Sequence, residues 1–208
     1  MKEIVIDIYT WSWLSPKHGY NFNGFAIKSR EGLVVIDPPT IEDPEREALE
    51  SIGTPSCILL TNKDHERSSI QMKKLYDCPI YIHEDDAPRR GFEPDETFKN
   101  DDKLPGGLLA VNIPNNKTPG ETALLLPRHE GTLFIGDAVI GWPPGEFSLL
   151  PAEKYRDPLK TQQSLKTLLK YDYSDVLVGD GESVLKVGKD ALLRLYERTD
   201  VHLTLPVS

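Results

Sequence analysis

Two runs of short apolar segments, each interleaved with helix-patterned stretches, set the tightest limit on how this chain can fold. In the first half, "FAIKSREGLVVIDPP" reads as two strands joined by a turn at Glu31-Gly32, the second ending at Asp37 before a double proline. A helix follows in "EDPEREALESIG", with Asp43 as cap, Pro44 in the first turn and Gly53 as the stop. "SCILLT" is a short buried strand, Ile70, Met72, Leu75 and Tyr76 give a loose helical stripe, and "PIYIHE" is another strand. Residues 85 to 105 are polar and broken by prolines, and read as loop with one helical turn at most. Three strand-like runs open the second half: "GLLAVNIP", "ETALLLP" and "GTLFIGD". A helix then starts at Asp157-Pro158, with Leu165, Leu168 and Leu169 facing a core. The strand "SDVLVGDG" and a final helix, with Leu192, Leu195 and Tyr196 on one face, complete the series. Two similar halves, each a sheet with helices on its outer side, predict a four-layer αββα sandwich. A two-layer α/β sheet is the competitor, because periodicity gives the elements but not their pairing.

The 208 residues carry no Ser/Gly-rich or Pro-rich linker, so a single domain over residues 1–208 is expected. The 33 acidic residues against 24 basic ones leave a net charge of −9, which argues against a nucleic-acid partner. The basic runs "MKK" and "PRR" are short and belong on solvated faces. Glu3 and Asp7 interrupt the first apolar run, unlike a signal peptide, and no later stretch approaches membrane-spanning length. A cytoplasmic protein with no membrane partner is the expectation. Cys57 and Cys78 lack metal-motif spacing and read as buried free thiols.

Three polar clusters follow apolar runs: "TNKDHER" after "CILL", "NNKTPGE" after "AVNIP" with "FIGD" ending at Asp137, and "VGDG" at Asp180. Carboxylates placed at strand ends by tight Gly turns suit a pocket where sheet edges converge, and a small molecule is the expected partner.

From about Asn23 to the last helix the chain resembles the metallo-β-lactamase-fold hydrolases, including their glyoxalase II-like branch. "FNGFAIKSREGLVVIDPP" resembles the opening strands of that family. "KTPGETALLLPRHEGTLFIGDAVIG" is similar to its His-Thr-Pro-Gly, two strands, then Gly-Asp, and "VLVGDG" to the segment ending Gly-His-Gly. The resemblance implies the αββα fold and a site that holds two metal ions and an activated water. The motif itself departs from the pattern. Where the family reads Thr-His-x-His-x-Asp-His, this chain has Thr61-Asn62-Lys63-Asp64-His65-Glu66-Arg67. The next family histidine is Lys117, the bridging aspartate is kept as Asp137, and the last histidine is Asp180. Neither an ammonium nor a guanidinium can coordinate a cation, so a two-metal site is not expected.

Two registers remain open. Anchored on Thr61 without a gap, Asn62, Asp64, Glu66 and Arg67 take the motif positions and His65 falls on a spacer pointing away. Arg67 and Lys117 then stand where ligands should be, facing Asp64, Asp137 and Asp180, and fixed cations replace the metal charge. That register describes a pseudoenzyme or binding pocket, with Asn62, Arg67 and Trp142 contacting the ligand and Asp64, Lys117 and Asp137 at its chemical centre. Anchored on Asp64-His65, two residues are deleted and Asp64, His65, Asp137 and Asp180 hold one divalent ion: manganese, iron or magnesium before zinc. Lys117 then polarises a carbonyl in a one-metal hydrolase of an ester, thioester or lactone. The metal-free register is preferred, because two cations appear where ligands vanish. His18, His83, His129 and His202 match no motif position. "GWPPGEFSLLP" is read as a stiff connector, with Trp142 and Phe147 as a pocket wall in the alternative.

Overall fold

The computed structural model describes residues 1–87 and 93–198; the expected surface run Pro88–Arg90, part of the stretch 85–105 and His202 lie outside them. Seven strands form the first sheet in sequential order: β1 (Lys2–Val5), β2 (Ile8–Leu14), β3 (Asn21–Lys28), β4 (Leu33–Ile36), β5 (Pro55–Leu59), β6 (Ile80–His83) and β7 (Glu96–Phe98). Pairing is antiparallel from β1 to β4 and parallel from β4 to β7. The second sheet runs β12 (Asp175–Val178), β11 (Thr132–Ile135), β10 (Thr122–Leu126), β9 (Leu108–Asn112) and β8 (Lys103–Leu104), with β11 and β12 parallel.

Strand periodicity explains why two sheets stack. Val34 and Ile36 of β4 meet Leu124 and Leu126 of β10, Phe134 of β11 and Leu177 of β12 in a core between the sheets. The Phe25 and Phe134 rings meet edge-on across that layer, 5.4 Å between centroids. The alternate residues turn outward. Leu33, Val35, Ile58 and Leu60 pack under α1 (Asp43–Ile52) and α2 (Ser69–Tyr76) through Leu49 and Met72. Leu133, Ile135, Val176 and Val178 pack beneath Leu165, Leu168, Leu192 and Leu195, from the segment after α3 (Pro158–Ser164) and from α4 (Gly188–Glu197). Strands covered on both faces read as unbroken apolar runs, as "LVVI" does. The four-layer αββα sandwich is thus the architecture, and the two-layer alternative is set aside.

Local departures have local causes. β1 and β2 form a hairpin at the sheet edge, where half-exposed residues blur the apolar signal. Within 85–105, two short strands, β7 and β8, replace expected loop; each borrows its pairing from a longer neighbour. Glu42, not Asp43, holds the N-cap position of α1, with no side-chain cap hydrogen bond. Leu75, expected on the buried stripe of α2, is 55% exposed, and Met72 is the apolar residue that helix buries. Phe147 is buried in the second-sheet core rather than lining a pocket mouth. Cys57 and Cys78 are buried free thiols. No helix among the described residues is long and apolar enough to cross a membrane.

Candidate functional site

Four acids and three bases converge where strands of both sheets end. Asp37 follows β4, the segment 61–67 follows β5, Lys117 lies between β9 and β10, Asp137 follows β11, and Asp180 follows β12. Asp37 and Arg67 both take left-handed backbone angles, φ 47° and 42°, sparsely populated for such residues and held here by what their side chains grip. Asp37 accepts from the Thr61 backbone N–H at 2.9 Å and the Thr61 hydroxyl at 2.6 Å, and its Oδ2 lies 2.8 Å from His65 Nδ1. That last bond turns the His65 ring inward at the end of a single 3-10 turn, Lys63–His65, leaving it 2% exposed. The ungapped register expected His65 to point away; the buried Asp37 beneath it is the reason it does not.

Two glycines make the close approach feasible. A Cβ at Gly179 would lie 2.5 Å from His65 Cε1, and one at Gly136 would lie 2.3 Å from Thr61 Oγ1. The Gly preceding each of Asp137 and Asp180 therefore lets the second sheet close onto the polar segment of the first.

Both Lys117 and Arg67 turn toward carboxylates of the cluster. Lys117 Nζ lies 2.7 Å from Asp137 Oδ2 and 2.9 Å from Asp64 Oδ2. Arg67 Nη2 donates to Asp180 Oδ1 at 2.5 Å and lies over the Phe22 ring, 4.4 Å from its centroid. His65 Nε2 is 3.6 Å from Asp137 Oδ1 and 3.3 Å from Arg67 Nη2. Burial and the Arg67 charge favour a neutral ring, but Asp37 and Asp137 outweigh them and raise the His65 pKa from 6.5 to about 10. Two carboxylates against one guanidinium favour the imidazolium. Burial likewise opposes ionisation of Asp137, yet His65 and Lys117 hold it well below the ordinary carboxylate range. Lys117, desolvated but flanked by Asp137 and Asp64, is raised above the ordinary lysine value. Burial lifts Asp180 against the pull of His65 and Arg67.

Two members were not read as site residues in the sequence. Asp37 carried a usable signal, an acid closing an all-apolar strand, as Asp137 and Asp180 do. Glu121 is fully buried behind Asp137, where burial and that neighbour raise it well above the usual carboxylate value and favour its neutral form. Its Oε1 accepts from the Ala138 N–H at 3.0 Å, while Oε2 has no hydrogen-bond partner among the described residues. Of the expected ligand contacts, Asn62 is fully buried and its Oδ1 accepts from the Asp64 N–H at 2.8 Å, so it caps the 3-10 turn. Trp142 is 40% exposed and joins none of the hydrogen bonds or ion pairs of the network.

The fit of a metal can be tested on these side chains. His65, Asp137 and Asp180 bring donor atoms within 4.8 Å of one another, while Asp64 turns instead to Lys117. Yet Arg67 Nη2 stands between Asp180 and His65, and Lys117 Nζ between Asp64 and Asp137, filling the positions that ions need. The arrangement does not fit a metal pair, and fits one ion only if Arg67 leaves Asp180.

The chain belongs to the metallo-β-lactamase superfamily, whose family model matches residues 1–199. Solved structures similar to it include a metallo-β-lactamase from Pontibacter korlensis, 18% identical with TM-score 0.76, covering 95% of this chain and 98% of that one. The DIM-1 metallo-β-lactamase is 16% identical with TM-score 0.75, covering 94% and 95%. The FIM-1 enzyme from Pseudomonas aeruginosa, in its mono-zinc form, is 13% identical with TM-score 0.70, covering 94% and 93%. At such identities the likeness establishes the fold. No curated protein matches the sequence.

Proposed function

We propose that this protein uses the metallo-β-lactamase fold as a small-molecule-binding pocket whose charge is set by side chains, with catalysis weak or lost. The observation that carries this reading is Lys117 Nζ lodged between Asp64 and Asp137, with Arg67 repeating the arrangement on Asp180. A cation fixed to the chain balances carboxylates but cannot deprotonate a bound water as a metal does. A second reading, a one-metal hydrolase of an ester, thioester or lactone, draws support from the convergence of His65, Asp137 and Asp180.

Metal content, measured by plasma mass spectrometry on protein purified without an affinity tag, separates the two. No bound metal after incubation with manganese, iron, magnesium or zinc supports the metal-free pocket. About one equivalent, lost in His65→Ala together with any esterase or lactonase turnover, overturns it in favour of the hydrolase.

A further inference from the structure

One groove beside the ion network reverses the charge balance of the molecule. It encloses about 740 Å³ and is lined by Asn116, Lys117, Arg156, Asp157 and Lys160, among others. Three of those five are cations, in a chain whose net charge is −9. Lys117 is occupied by Asp64 and Asp137, and Lys160 lies 3.6 Å from Asp157, so neither is wholly available. Arg156 is exposed and makes no hydrogen bond or ion pair among the described residues. Asp157 accepts from the Lys160 N–H as the α3 cap, which fixes the start of the helix and with it the spacing of the two cations. Lys117 joins this groove to the ion network, since it lines the one and pairs with Asp64 and Asp137 in the other. His18, on the turn between β2 and β3, has its pKa lowered first by burial and then by Lys17; Asp180 opposes the shift, and Lys154 and Lys117 add to it.

We infer that this groove is an anion subsite: a small molecule enters with a carboxylate or phosphate group seated between Arg156 and Lys160, and its remainder toward Lys117. The inference rests on the small-molecule reading proposed above and adds the chemical class of the ligand. A guanidinium with no partner among the described residues can hold two oxygens of an oxyanion at once, and Lys160 supplies a second charge-assisted donor. Such a patch attracts anions locally at the mouth, against the repulsion of the net negative charge of the molecule.

The test is calorimetric titration with inorganic phosphate and, separately, with succinate, in the presence of a chelator. Wild-type protein, Arg156→Ala/Lys160→Ala and Lys154→Ala are compared at two salt concentrations. The double variant alters exposed side chains, and an unchanged melting temperature verifies its fold. Binding of either anion that weakens at least about tenfold in the double variant, and falls with added salt, is the expected result. Phosphate preference identifies a phosphorylated ligand, succinate preference a carboxylic acid. Equal affinity in the double variant, or no binding of either anion by the wild type, overturns the subsite. A parallel titration with manganese keeps the two readings apart: stoichiometric metal uptake with anion binding intact sinks the metal-free pocket and leaves the subsite standing.

Discussion

Replacing Lys117 with Met isolates the central ion pair. The ammonium serves Asp137, whose side chain is 5% exposed, and Asp64, 37% exposed. Methionine keeps most of the volume and removes the charge, leaving Asp137 buried with His65 3.6 Å away as its remaining cation. Breaking a buried pair on one side costs about 3–5 kcal/mol, because a desolvated charge is left behind. Water reaches the Asp64 side, which places this case at the lower end, about 3 kcal/mol. For a chain of this size, each kcal/mol moves Tm by about 2–4 °C, so a fall of about 6–12 °C is expected by circular dichroism. The double variant Lys117→Met/Asp137→Asn removes both charges and should recover much of the loss, a coupling that a double-mutant cycle measures. If Lys117→Met melts within about 2 °C of the wild type, the pair is a surface contact of little energetic weight, and the reasoning about fixed cations fails.

Other outcomes follow from the same geometry. The His65 pKa is raised from 6.5 in the unfolded chain to about 10 in the folded one, so its stabilising contribution is full below pH 6.5 and lost as pH climbs toward 10. The urea midpoint should therefore fall across that window, and proton NMR should show the His65 Cε1–H shift constant up to about pH 9; a midpoint near 6.5 contradicts the imidazolium. Arg67→Ala uncovers Asp180 and His65 and should let one equivalent of zinc or manganese bind where the wild type takes none, read by plasma mass spectrometry. Gly179→Ala forces a methyl group to within 2.5 Å of His65 Cε1 and should destabilise by about 1–3 kcal/mol in urea unfolding.

Most of the sandwich could be read in the sequence because strands covered on both faces leave unbroken apolar runs, as β4, β10 and β11 do. The edge strands β1, β7 and β8 left no such trace, since their residues are half exposed and their pairing is supplied by a neighbour. At the site, Lys117, Arg67, Asp137 and Asp180 were legible through their places in a recognisable motif. The direction of His65 was not. It depends on Asp37, 28 positions earlier, and on a three-residue 3-10 turn that no periodicity announces. Glu121 was hidden for a related reason: an acid beside the Thr-Pro-Gly turn reads as solvent-facing until the loop after β11 meets it through the Ala138 N–H.

Two ion pairs of the network run from one half of the sandwich to the other. Arg67, just after a first-sheet strand, grips Asp180, 113 positions away at the end of the second sheet. Lys117, from the second half, reaches back to Asp64 in the first. Every such contact closes a very long loop, so none can form before the two halves have docked, and contacts of that range are the slow ones in folding. The pocket is then a lock on the finished sandwich rather than a scaffold for it. During refolding, protection of the Asn23 and Thr122 amides, which donate across the halves to the Gly179 and Thr61 carbonyls, should lag behind protection within either sheet, making the site a built-in clock for the docking step.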